Sequence, residues 1–267
     1  MILETERLID YDGNEKSKRA QEKPGFRYQW TTEKVESMDN IKKYQILDGT
    51  TLKIIAMISM AIDHVGAVFF PDAMEFRMIG RLAMPIFSFC IAEGFTHTRN
   101  KKKYLCRLGV FALISEIPFD LAFEGKVGFS HQNIMLSFFL AVAALLLYDW
   151  IVDEENPERN HSSVVKTVLG VCVVGAISLL SFLLRADYTF FAVIAVFLFY
   201  VFRKRHPLIR AGAGVAFLTI TRTIGYYVTT GFSFIPLAMY NGKKGKGLKW
   251  LFYLFYPGHL LLLAAIR

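Results

Sequence analysis

Cysteine is scarce in this sequence, and its scarcity removes two ways of bracing a fold. The three that occur, Cys90, Cys106 and Cys172, fall in or beside apolar runs, at spacings that suit neither a zinc site nor an extracellular disulfide framework. They read as free, packed thiols. A glycine-rich phosphate cradle, a nucleophile elbow and a helix pattern of metal ligands are also missing, so no motif of nucleotide-phosphate, serine-hydrolase or metal-hydrolase chemistry is at hand. The first 48 residues lack a charged-then-apolar signal pattern and any run able to span a membrane. Apolar residues, by contrast, abound. Of 267 residues 54% are hydrophobic and 15% aromatic, and the mean hydropathy of +0.35 exceeds what a soluble core needs. An integral membrane protein is expected.

Polar character is concentrated at the start. Ten of the 23 acids and nine of the 31 basic residues lie in the first fifty positions, so residues 1–48 read as a cytoplasmic, partly disordered leader, with any helical part lying on the membrane surface. Residues 49–267 read as the transmembrane domain, an all-α polytopic membrane helical bundle of about nine spans. The spans are expected near 51–70, 76–98, 104–123, 133–152, 164–184, 188–202, 207–228, 232–240 and 250–266. Pro85 should kink the second. The eighth is too short to cross upright and reads as a broken helix or a continuation of the seventh.

The basic residues give the orientation. Loops after spans two, six and eight hold four, three and four Lys or Arg, whereas those after one, three, five and seven hold one at most. The positive-inside rule then places the N-terminus in the cytoplasm, in a multi-pass protein of the cell membrane. The sequence pI of 9.3 follows from those loops and is no sign of a nucleic-acid partner; the partner it implies is the lipid bilayer.

The first span, LKIIAMISMAIDHVGAVFF (Leu52 to Phe70), has membrane length yet carries Lys53, Asp63 and His64. At about 100° per residue the step from Lys53 to His64 is almost three whole turns, so both lie on one helix face, about 16 Å apart. An ionisable group in lipid costs roughly 2.5–3.5 kcal/mol on insertion scales, so such residues normally face a cavity and do something. Arg77 and Arg81 are one turn apart in the second span, the antiparallel neighbour of the first. A deep histidine with Asp63 beside it and two guanidinium groups nearby reads as a general base with anion-stabilising donors. A buried ion-pair network that merely holds helices together is the plainer alternative.

Other ionisable positions divide by setting. His131, with Asn133, opens the fourth span on the same outer side as His64 and lines an acceptor entrance or caps a helix. His259 follows Pro257 in the last span, where an unpaired imidazole would be costly. Glu93 and His97 suit an i, i+4 pair. Glu116 and Asp120 in the third span are candidates to pair with Arg222 or Arg81.

Five separated segments resemble the TraX family, named for the conjugation protein that N-acetylates F-type pilin: DGTTLKIIAMISMAIDHVG (Asp48 to Gly66), RMIGRLAMPIFSFCIAEGF (Arg77 to Phe95), HQNIMLSFFL (His131 to Leu140), LLRADYTFFAV (Leu183 to Val193) and YPGHLLLL (Tyr256 to Leu263). The likeness spans about residues 48–267 and leaves the leader uncovered. A basic residue, ten spacers and a histidine, then an arginine pair, is also similar to the wider acyltransferase-three class, although its arginines are spaced differently and its spans are more numerous.

The resemblance implies a membrane-bound N- or O-acetyltransferase that moves acetyl from cytoplasmic acetyl-CoA to an amine or hydroxyl acceptor, either a peptide amine or a cell-surface saccharide. It implies that His64 is the catalytic base with Asp63, Arg77 and Arg81 around it, and that no metal is used. Lys53, Arg99, Lys103 and Lys243 would receive the anionic CoA, and His131, Asn133, His259 and Glu116 would contact the acceptor. Cys90 is a conceivable acyl carrier, but a lone buried cysteine is usually core, and direct transfer on His64 is simpler. A transporter or channel using the same charges as a relay, or a non-catalytic envelope assembly protein, would carry the same buried residues.

Overall fold

The computed structural model describes residues 7–9, 15–17, 43–152, 163–221 and 225–267. Contacts divide the chain at Tyr44 and Gln45. In the first unit two short strands, β1 (Arg7–Ile9) and β2 (Glu15–Ser17), pair antiparallel, with Leu8 opposite Lys16. Both strands lie within the leader.

The second unit is helical: α1 (Gly49–Phe69), α2 (Met74–Gly80), α3 (Ala83–His97), α4 (Lys101–Phe123), α5 (Ile134–Val152), α6 (Ser163–Leu183), α7 (Thr189–Val201), α8 (Pro207–Thr221), α9 (Phe234–Ala238) and α10 (Lys249–Ile266). Short 3-10 segments, Phe202–Lys204 and Gly225–Ser233, follow α7 and precede α9. The starts are set by caps. Asp48 accepts from the Thr51 amide at 2.7 Å to begin α1, Asn100 accepts from Lys103 at 2.8 Å to begin α4, and Asn133 accepts from Met135 at 3.0 Å ahead of α5. The α1 helix stops just before Pro71, whose ring disfavours helical backbone in the residue ahead of it.

Among the described residues, five helices are long and apolar enough to cross a membrane: Gly49–Phe69, Met74–His97, Ile134–Val152, Val164–Leu183 and Lys249–Ile266. That is fewer than the nine spans expected. The α4 helix has the length, at 23 residues, but carries Arg107, Glu116 and Asp120 beyond its lysines. The α7 and α8 helices have 13 and 15 residues, and α9 has five. Arg222, a candidate partner of the buried carboxylates, lies outside the described residues.

The second apolar run is interrupted at Arg81 and Leu82, ahead of Pro85, although both residues keep αR backbone. The chain turns at Arg81 and Leu82, with Leu82 N–H donating back to Ile79 in a tight 3-10 step of 3.3 Å. Pro85 has no N–H to offer the Arg81 carbonyl, four residues back, so the helix restarts with the proline in its first turn, where no such donor is needed.

Among the described residues a main core, with Leu52, Ile86, Phe89, Leu108, Leu145 and Phe199 fully buried, is accompanied by a smaller cluster of Met84, Ala192, Ala195 and Leu218. Lipid is as apolar as leucine, so this core is held by close packing and dispersion more than by exclusion of water. The α6 helix keeps Val164, Val168, Leu179 and Leu183 exposed, an outward face suited to acyl chains.

The ends of the bundle are tied by polar contacts. At one, Lys101 at the start of α4 meets Asp149 near the end of α5 at 2.5 Å, and Asp149 accepts from Tyr200 at the end of α7 at 2.5 Å. At the other, between the segments preceding α5 and α7, Gln132 donates its N–H to the Arg185 carbonyl at 3.1 Å and its own carbonyl accepts from the Asp187 N–H at 2.8 Å. There Arg267 donates to the Ala122 carbonyl at the end of α4, 3.1 Å away.

Candidate functional site

Among the described residues two adjoining cavities stand out. The smaller, about 220 Å³, is a histidine chamber bounded by Asp63 and His64 on α1, Arg77 and Gly80 on α2, Arg81 at the break, and Tyr188 ahead of α7. The larger, about 400 Å³, is lined by Lys53, Arg107, Lys244, Lys246 and Lys249 among apolar and aromatic side chains. Met60, Phe87, Ile134 and Phe138 line both and form the partition between them.

The chamber is built on one carboxylate. Asp63 Oδ2 accepts from Arg77 Nη1 at 2.8 Å, and Oδ1 accepts from Arg81 Nη2 at 3.1 Å. Arg77 also donates to the Asp63 carbonyl at 3.2 Å, and Arg81 donates through Nη1 to the Tyr188 hydroxyl at 3.1 Å. Gly80 is what lets α2 approach so closely, because a Cβ there would stand 2.1 Å from Asp63 Oδ1. Ser59 on α1 donates to the Ile79 carbonyl at 2.7 Å and fixes the same register. Asp187 lines the chamber as well, so two carboxylates face two guanidiniums there, and the guanidinium N–H groups are the donors available to developing negative charge.

His64 does not take Asp63 as its partner. Its Nδ1 stands 2.8 Å from Nε2 of His259 on α10, 195 residues away in sequence. Their rings are nearly parallel, 14° apart with centroids at 5.0 Å, and the Phe123 ring meets His64 edge-on at 5.1 Å. The helical step of about 100° explains the separation: with Asp63 turned toward α2, His64 faces α4 and α10.

The basic cavity has its mouth where the segment between α9 and α10 clasps the start of α1. Gly49 N–H donates to the Lys243 carbonyl at 2.8 Å, and the Thr50 hydroxyl to the Lys246 carbonyl at 2.7 Å. Gly245 has φ +74°, and a Cβ on it would stand 2.5 Å from Asp48 Oδ2, so only glycine permits the clasp. Asp48 lies outside the membrane span. The Thr51 amide and hydroxyl, the largest influences on it, hold its carboxyl below the ordinary value of 3.8. Deeper in the wall, Lys53 Nζ lies 5.1 Å from the centre of the Phe252 ring, and Arg107 Nε is buried with no hydrogen-bond partner.

The other residues singled out in the sequence fall as follows. Lys53 lines the basic cavity as its helix face required, whereas Arg99, Lys103 and Lys243 are exposed and outside both cavities. The neighbours Lys244, Lys246 and Lys249 line it in their place. His131 is exposed and borders neither cavity. Asn133 is fully buried and donates to the Ala112 carbonyl at 2.8 Å and to Glu116 Oε2, so it and Glu116 brace α4 against α5 rather than face the chamber. Glu93 and His97 form the expected pair, at 3.8 Å. Cys90 is a free thiol in the wall of the basic cavity. Two features went unforeseen. Tyr188 sits inside a segment that drew notice only for its family resemblance, and His259 meets His64, a contact that no local spacing encodes. Among the described residues no cluster of three His, Cys, Asp or Glu side chains is placed to hold a metal ion.

Fold and chamber together define a class: an integral membrane helical bundle with a charged, histidine-bearing chamber beside a lysine-lined cavity. The family model described as TraX protein matches residues 48–267, and the chain belongs to that family. It is similar to a probable fimbrial assembly protein FimC, serogroup H1, of Dichelobacter nodosus, 29% identical over 244 residues that cover 81% of this chain and 94% of that protein. It also resembles the uncharacterized protein RP591 of Rickettsia prowazekii (strain Madrid E), 34% identical over 89 residues, a third of each chain. No solved structure matches it.

Proposed function

We propose that this membrane protein is an acyltransferase that carries acetyl from acetyl-CoA, held in the basic cavity, to an amine or hydroxyl acceptor in the histidine chamber. The observation that carries this reading is the meeting of the two cavities at Met60, Phe87, Ile134 and Phe138. A donor with phosphates at one end and a thioester at the other needs positive charge at an open mouth, a long apolar channel and reactive groups at its far end. The lysines supply the first, and the buried, unpartnered Arg107 Nε is a further donor along the way.

In this reaction His64 takes a proton from the acceptor as its nitrogen or oxygen bonds to the thioester carbonyl carbon. The oxyanion that forms is stabilised by the Arg77 and Arg81 guanidiniums. Collapse of the intermediate breaks the C–S bond, and the departing CoA sulfur receives the proton from His64. The named relative's part in fimbrial assembly and the family resemblance favour a peptide amine, the N-terminus of a pilus subunit, over a saccharide as acceptor. The basic end faces the cytoplasm of a cell-membrane protein, where acetyl-CoA is made.

Calorimetric titration of CoA into the purified protein tests the donor site. Binding weakened by Lys53→Ala and by Lys246→Ala, but not by Lys103→Ala, is the expected result. Absence of CoA binding together with labelled solute uptake in vesicles would instead support a transporter that uses the chamber as a charge relay.

A further inference from the structure

The hydrogen bonds of the two histidines form a directed chain. His259 Nδ1 lies 2.7 Å from the carbonyl oxygen of Phe255, one turn back on α10. A carbonyl can only accept, so the hydrogen belongs to His259 Nδ1. A neutral His259 then carries its lone pair on Nε2, and the atom facing that lone pair at 2.8 Å is His64 Nδ1. The hydrogen between the rings therefore sits on His64 Nδ1. A neutral His64 is left with its lone pair on Nε2, which has no hydrogen-bond partner among the described residues, on a ring that lines the chamber.

From this geometry we infer that His259 is the positioning residue of the site: by accepting from Nδ1 it locks His64 in the tautomer and ring orientation that leave Nε2 free as a base. In serine proteases an aspartate does this work by accepting from the imidazole Nδ1–H. Here Asp63, the neighbour in sequence, is occupied by Arg77 and Arg81, and a second imidazole fills the role. It is itself held by the Phe255 carbonyl and by the Phe255 ring, stacked at 4.7 Å and 12°. A neutral partner adds no further negative charge to a chamber where Asp63 and Asp187 already face Arg77 and Arg81.

The inference rests on the acyl-transfer reading for its consequence, but its first test does not depend on that reading. The chain has six histidines, so nitrogen-15 imidazole spectra of the protein in lipid nanodiscs, with His64 assigned by its loss in His64→Gln, report which nitrogen bears the hydrogen. The expected state of wild-type His64 is Nδ1–H, shifting toward Nε2–H in His259→Phe. In acetyl transfer, His259→Phe should lower kcat by at least about 10²-fold, with KM for acetyl-CoA little changed. His259→Gln, whose amide oxygen can accept near the position of Nε2, should recover most of the loss. An Nε2–H tautomer at His64 in the wild-type protein overturns the inference, as does a His259→Phe variant with unchanged kcat. Wild-type protein that transfers no acetyl while showing the Nδ1–H tautomer at His64 would instead sink the acyl-transfer reading and leave the pairing standing.

Discussion

Asp63 is a single carboxylate answering two guanidiniums, both ion pairs being largely out of solvent, with the Arg81 side chain only 5% exposed. Charge-assisted bonds of this kind are short and strong, but their removal is asymmetric, since deleting one partner strands the others. Asp63→Ala should therefore destabilise the protein by about 3–5 kcal/mol, the usual result of leaving buried charge uncompensated. Thermal unfolding in detergent would show it, and an unchanged midpoint would mean that the ion pairs bear little on stability. Gly80→Ala is the subtler test. It removes no charge and no hydrogen bond, yet its methyl would collide with Asp63, so it should cost both stability and acetyl transfer. Residue types at this scale were legible in the sequence, because charge inside an apolar run announces itself. Partners were not. Asp63 and His64 are adjacent in sequence but diverge by about a quarter turn, and the partner of His64 arrives from the far end of the chain.

At the scale of elements, the site depends on two departures from regular helix. The interruption between α2 and α3 is legible from Pro85, because its missing N–H acts on the carbonyl four residues back, at Arg81. The break turns the Arg81 guanidinium toward both Asp63 and Tyr188. The clasp at the mouth of the basic cavity depends on backbone that no periodicity reveals, namely the positive φ of Gly245 against the cap residue Asp48. That is why the sequence indicated a lysine cluster but not which lysines face inward. Gly245→Ala should weaken CoA binding several-fold although every lysine remains, because the strain displaces the segment that presents them. Titration of that variant beside Lys246→Ala checks it, and wild-type affinity would contradict it. The Asp48 cap has a defined pH sense. Its folded pKa lies below 3.8, so its contribution is full at neutral pH and is lost only as the pH falls below that value.

For the whole molecule, apolar runs were enough to recognise a membrane bundle, and the length of each helix was not, because α7 and α8 are cut short by turns and α4 mixes charge into its length. Loop charge gives the expected orientation, a basic cytoplasmic face. Reporter fusions after Lys103, Arg205 and Lys246 should all score cytoplasmic and one after Lys126 external; the reverse pattern would detach the basic cavity from the compartment that supplies acetyl-CoA. The account stands most directly on His64. The decisive measurement is transfer of labelled acetyl from acetyl-CoA to an N-terminal pilin peptide by the purified protein in lipid, compared between wild type and His64→Ala. Loss of at least about 10²-fold in turnover, with CoA binding and thermal midpoint preserved, is the expected result. Wild-type turnover in the variant would contradict it.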